Sequence, residues 1–173
     1  QSSTFGNGNA GNLFVNANEI NVFNDLKANN FYDTSIYAGV GFDPNNAGSP
    51  ILAKRNAGDI TINTDRLSLR NGGTVSSDTR GLGNAGNVNI NASKVEIIGE
   101  TLNGNPSGVF TQVEFNGIGN AGTIKLTTKT LTVSNGGKVQ AATFGKGDGG
   151  NLFIKADDIN VFDDPGVNPF QLT

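Results

Sequence analysis

After each of five glycines, Gly11, Gly58, Gly86, Gly122 and Gly150, apolar residues fall at the second, fourth, ninth and eleventh places. Leu13, Ile60, Val88, Ile124 and Leu152 form the first column, and Val15, Ile62, Ile90, Leu126 and Ile154 the second. Ile20, Leu67, Val95, Leu131 and Ile159 form the third, and Val22, Leu69, Ile97, Val133 and Val161 the fourth. Alternation at period two predicts strands with one buried face. No window keeps the spacing of an amphipathic helix. A small residue, Ala17, Thr64, Ala92, Thr128 or Ala156, sits at the sixth place, where the first strand bends into the second. In two copies the second strand runs into "NGG", Asn71–Gly73 and Asn135–Gly137. Asn and Gly tolerate positive φ, so a sharp corner is expected there. A third strand follows, "TVSSDT" and "KVQAAT", before the next glycine-rich turn.

Successive turns are 47, 28, 36 and 28 residues apart. The simplest unit is 28 residues, with insertions in the first and third copies. Three short strands and three corners per unit describe one coil of a parallel β-solenoid. About five such coils would stack at roughly 4.8 Å, with matching columns forming aliphatic ladders. The chain then reads as one all-β segment over residues 1–173. Side loops are expected at about 24–52 and 99–108, and a terminal loop or cap at 163–173, where Pro165 and Pro169 interrupt the pattern. "QSSTFGNGNAGNLFVNANEINVFND", which begins at Gln1, is replayed by "QAATFGKGDGGNLFIKADDINVFDD", which begins at Gln140. That replay is expected of a window on a longer rod or of a unit in a filament.

The turns themselves read G-x-G-x-x-G: Gly6, Gly8, Gly11; Gly81, Gly83, Gly86; Gly117, Gly119, Gly122; Gly145, Gly147, Gly150. A dinucleotide site needs this motif between a strand and a helix. Here each copy leads into a strand and the motif recurs four times, so the glycines are assigned to turn geometry. Asn9, Asn56, Asn84, Asn120 and Asp148 form one turn column, and Asn12, Asp59, Asn87, Thr123 and Asn151 another. Stacked amides can bond up such a ladder. Calcium is the sharper alternative, but the nonapeptide calcium-binding repeat is absent.

Composition narrows the chemistry. His, Cys, Met and Trp are all absent, which removes His- and Cys-based nucleophile systems. A zinc site loses its usual ligands. Twelve basic against fifteen acidic residues give a net charge of −3, unlike a nucleic-acid binder. No apolar run approaches the length of roughly 18 residues that a spanning helix needs, so no transmembrane segment is expected.

The units "GNAGNVNINASKVEI…NPSGVFTQ" and "NAGDITINTDRLSLRNGGTVSS" resemble the repeats of filamentous-haemagglutinin-like exoproteins of the two-partner-secretion type. The resemblance spans residues 1–162 and is least typical over 24–52. It implies a right-handed parallel β-helix, export through an outer-membrane β-barrel transporter, and a place on the cell surface or in the extracellular matrix. It carries over no catalytic residue.

Weighed against that, the carboxylate pairs Asp157–Asp158 and Asp163–Asp164 align with no continuous acidic column. A polysaccharide-cleaving or carbohydrate-binding β-helix is therefore the alternative, and no catalytic residue, metal ligand or cofactor is assigned. The aromatics are the candidate interaction patch: Phe5, Phe14 and Phe23 near the start, and Phe144, Phe153 and Phe162 near the end. Phe14 and Phe23 fall between inward positions and point outward. Either loop residues such as Phe31, Tyr32, Tyr37 or Phe42 cover them, or they meet another chain or a glycan. An ice-binding face would need a regular Thr array, which the mixed outward columns lack. The expectation is a non-enzymatic structural or adhesive segment of an exported protein, with its own copies, neighbouring coils or surface glycans as partners.

Overall fold

In the computed structural model the described residues are 1–4, 8–25, 34–40 and 55–164. They form twelve strands and no helix. β1 is Ser2–Thr4, β2 Leu13–Phe23, β3 Ser35–Val40, β4 Ile60–Arg70, β5 Thr74–Thr79 and β6 Val88–Ile98. β7 is Gly108–Val113, β8 Ile124–Thr127, β9 Thr130–Ser134, β10 Lys138–Thr143, β11 Leu152–Lys155 and β12 Asp158–Phe162.

The chain alternates between two sheets in which every strand pairing is parallel. One sheet has the order β1-β3-β5-β7-β10, and the other β11-β8-β6-β4-β2, with β9 bridging β6 and β12. The register follows the sequence columns: Leu13 pairs with Ile60, Ile60 with Val88, Val88 with Ile124, and Ile124 with Leu152. The third and fourth columns keep the same register through Ile20, Leu67, Val95, Leu131 and Ile159.

The four columns meet in one core. Ile60, Ile62, Leu67, Leu69, Val88, Val95, Ile97 and Ile124 are fully buried within it. Ile62 and Leu67 are five residues apart, so strict alternation would put them on opposite faces. Both reach the same core because the strand turns a corner between them, and the ladder omits Asn18, Asp65 and Ser93 at that point. Where separate first and second strands are expected, β2, β4 and β6 run through the corner as single eleven-residue strands. In the last two repeats the same segment divides into β8/β9 and β11/β12.

The "NGG" corners behave as their residue types require. Asn71 and Asn135 have φ of 53° and 52°, and Gly72 and Gly136 have 84° and 87°. Ser35–Val40, expected inside the 24–52 side loop, is instead a strand of the first sheet, with Ala38 and Val40 buried. The rest of that loop, apart from residues 24, 25 and 34, lies outside the described residues, as do Phe5, Gly6 and the segment 165–173. The 99–108 insertion folds as a small hairpin: Thr101 N–H donates to Asn105 O at 2.8 Å, and Ser107 N–H donates to Gly99 O at 2.9 Å.

Candidate functional site

The glycine turns are packed backbone on backbone. A Cβ on Gly86 would overlap the Gly58 carbonyl, one on Gly122 the Gly86 carbonyl, and one on Gly150 the Gly122 carbonyl. Gly83 and Gly147 add positive φ, 150° and 141°. The volume that a pyrophosphate would need is occupied by the preceding repeat, and a strand, not a helix, follows each turn. The Asn columns spend their oxygens within the ladder. Asn9 Oδ1 accepts from Asn56 N–H, Asn56 from Asn84, Asn84 from Asn120 and Asn120 from Asp148, each at 2.9 Å. The second column repeats the arrangement through Asn12, Asp59 and Asn87 at 2.7–2.9 Å.

Inward polar groups lock the turns to the other sheet. Ser77 Oγ donates to Gly58 O at 2.8 Å and accepts from Gly86 N–H at 2.9 Å. Thr111 Oγ1 donates to Gly122 O at 3.0 Å. These are satisfied buried hydroxyls, a structural use.

The aromatic residues divide between two ends. Phe14 and Phe153 share a column, but Thr61, Asn89 and Lys125 separate them. Four steps of ~4.8 Å put them about 19 Å apart. Phe14, Phe23, Phe153 and Phe162 are each more than half exposed. Phe144 stacks on Phe115 with ring centroids 5.3 Å apart. Phe115 belongs to an extra turn ahead of Gly117 that spacing alone does not place. Tyr37, a cover for the outward phenylalanines in one of the two alternatives, lies over Gly39 of its own strand, and Phe110 lies likewise over Gly108.

Two charged clusters were not foreseen. On the outer face of the second sheet, Glu96 takes Arg66 at 2.6 Å, Lys94 at 3.1 Å and Arg70 at 3.5 Å. Burial pushes its carboxyl up, but the hydrogen bonds from Arg66 and Lys94 outweigh that and hold it below its ordinary range. Arg66 and Lys94 are register partners, and like charges opposite one another repel; Glu96 relieves that repulsion. On the first sheet, Asp78 lies between Gly39 and Gln112. Its Oδ2 accepts from Ser76 Oγ at 2.5 Å, and Oδ1 is buried. Burial pushes Asp78 up to about 7; Glu114 adds to the rise, and the Ser76 bond, Arg80 and the Gln112 backbone oppose it. Burial and the neighbouring Asp78 push Tyr37 to about 12.

Along the corner of the second sheet runs an open trough of about 800 Å³. Ala17, Thr64 and Ala92 line it together with Asn16, Asn63 and Asn91. Asn63 Nδ2 donates to Asn16 Oδ1 at 2.9 Å. The described residues bring no three His, Cys, Asp or Glu side chains together as a metal cluster, and no helix among them is long and apolar enough to cross a membrane. Comparison of the chain with family models, with curated proteins and with solved structures gives no match.

Proposed function

We propose that this chain is a non-enzymatic structural segment, a right-handed parallel β-helix that serves as part of a stiff, exported rod. The observation that carries this reading is the in-register pairing of five repeats, in which aliphatic columns fill the interior and turn amides bond from repeat to repeat. Polar side chains at the turns are committed to the ladder, which favours a mechanical role over a reactive one. Adhesive contacts, to surface glycans or to other chains, are made by the side loops and the exposed phenylalanines. The resemblance to filamentous-haemagglutinin-like repeats supports an extracellular or cell-surface setting reached through an outer-membrane transporter.

Carbohydrate binding or cleavage is the second reading, and the amide-lined trough favours it. One experiment separates the two. The intact chain is incubated with a panel of neutral and acidic polysaccharides, and both retention and product release are measured. The structural reading predicts no new reducing ends with any substrate. Sustained release of reducing ends from any of the polysaccharides would overturn it.

A further inference from the structure

A third column of amides is used differently from the two at the turns. Asn56 and Asn84 give their side-chain oxygens to the N–H of the next repeat. At the corner of the second sheet, Asn16, Asn63 and Asn91 are register partners one repeat apart. Asn63 Nδ2 reaches Asn16 Oδ1 at 2.9 Å, and the run of bonds stops there. Asn91 and, two residues on, Ser93 are both exposed, and neither side chain has a hydrogen-bond partner among the described residues. Between these polar rows lies a floor of small residues, of which Ala92 and Thr128 are buried. Thr64 Oγ1 donates to Asn18 O at 3.0 Å and Thr128 Oγ1 to Thr130 O at 3.1 Å, so the floor hydroxyls are spent on backbone. The trough is thus poor in free polar groups below and rich in them along its rims. Its charges, Asp65 and Asp157 against Lys129 and Lys155, cancel. β4 and β6, which form its centre, are each paired on both sides, so the site belongs to the middle of the stack.

We propose that this trough binds an extended, neutral β-1,4-linked glycan without cleaving it. A sugar ring has the same division, an apolar face of C–H groups and a rim of hydroxyls that both donate and accept. Amides answer hydroxyls in both roles. The repeats advance by ~4.8 Å, and a fully extended β-1,4-linked chain advances by nearly one such step per ring. Successive rings therefore meet successive repeats, whereas an α-1,4-linked chain coils out of step. A charged polymer gains nothing from rims whose charges balance. A peptide strand finds no free backbone edge at β4 or β6. Asp65 and Asp157 stand three repeats apart in their column. That is roughly 14 Å, too far for two carboxylates to work on one glycosidic bond.

The inference rests on the carbohydrate reading, of which it keeps the binding and drops the cleavage, and it leaves the structural role untouched. Its test is an NMR titration of residues 1–173 with cellopentaose, maltopentaose, pentagalacturonic acid and an uncharged threonine-rich peptide. Cellopentaose should move the signals of Asn63, Asn91, Ala92 and Thr128 and leave those of the turn residues Asn56 and Asn84 in place. Asn63→Ala and Asn91→Ala should each weaken binding by about 3–10-fold. Both side chains are exposed, so the variants should keep the circular dichroism of the parent. Asn89→Ala, on the same strand but outside the trough, should change affinity by less than about twofold. Equal binding of maltopentaose or pentagalacturonic acid, binding of the peptide in place of cellopentaose, or undiminished affinity in Asn91→Ala overturns the proposal. Cellopentaose shifts confined to the exposed phenylalanines overturn the trough as the site but keep the carbohydrate reading. No shift with any of the sugars overturns both and leaves the rod.

Discussion

At the scale of single residues, the turn glycines and one buried acid carry the sharpest predictions. Gly122→Ala would drive a Cβ into the Gly86 carbonyl. Backbone on both sides leaves nothing flexible to yield, so unfolding should become easier by about 2–4 kcal/mol. Gly8 has no atom within 4 Å of the equivalent point, and Gly8→Ala should change stability by less than about 0.5 kcal/mol. Denaturant melts of the two variants check the contrast; equal effects would mean that the backbone packing is misplaced. Asp78 sets a pH dependence. Its folded pKa of about 7 exceeds its ordinary 3.8, so the fold binds the proton more tightly than the unfolded chain. Its stabilising contribution is complete below pH ~4 and is lost as pH rises from about 4 to 7. Asp78→Asn should flatten that part of the stability profile and raise stability at pH 8 on the order of a few kcal/mol. Equal pH slopes for the variant and the parent would contradict the buried carboxyl. Glu96 acts in the opposite sense. Its depressed pKa makes its contribution present above the ordinary carboxylate range and lost in acid. The Asn ladder was legible in the sequence because its two columns repeat with the turns. Asp78 was not. "TVSSDT" marks it only as outward, and its burial comes from Tyr37, Gly39 and Gln112 on neighbouring strands.

At the scale of elements, the aliphatic columns define the strands and the insertions adjust their connections. Leu67 is fully buried at the centre of the third column, and Leu67→Ala should cost about 2–5 kcal/mol. The hairpin in the third repeat also ties two repeats together. Nine residues, 99–107, join β6 to β7, where three, 71–73, join β4 to β5. Ser107 is fully buried, and its Oγ accepts from Gly72 N–H at 2.9 Å and donates to Ile98 O at 2.9 Å. Replacing the nine by Asn-Gly-Gly changes closure entropy little but strands the Gly72 N–H, so stability should fall by about 1–3 kcal/mol. An unchanged melting transition would contradict the packing of Ser107 against that corner. The sequence pattern located β2, β4 and β6 through their columns but placed Ser35–Val40 within a loop. Ile36, Ala38 and Val40 alternate as a strand should, yet the inserted residues on either side hide their distance from the turn glycines. The aromatic set shows the converse limit. Sequence spacing groups six phenylalanines, whereas the parallel register sends Phe14 and Phe153 to opposite ends of a column and pairs Phe144 with Phe115.

At the scale of the whole molecule, the proposed role rests on stacking. A ladder that repeats its corners can be extended or interrupted by loops without changing its interior, which suits the proposed rod. The proposed structural role depends on each repeat lying directly against the next. The most direct test measures that spacing. The chain has no cysteine, so single cysteines can carry spin labels at Phe14 together with Asn89, Lys125 or Phe153, all in one outward column. The sequence separations between repeats are unequal, but the stacked repeats should be evenly spaced. Label distances should rise by about 4.8 Å per repeat, reaching roughly 19 Å between positions 14 and 153 once label offsets are subtracted. Distances that grow with sequence separation, or that fail to rise from one repeat to the next, would contradict the stack and the function drawn from it.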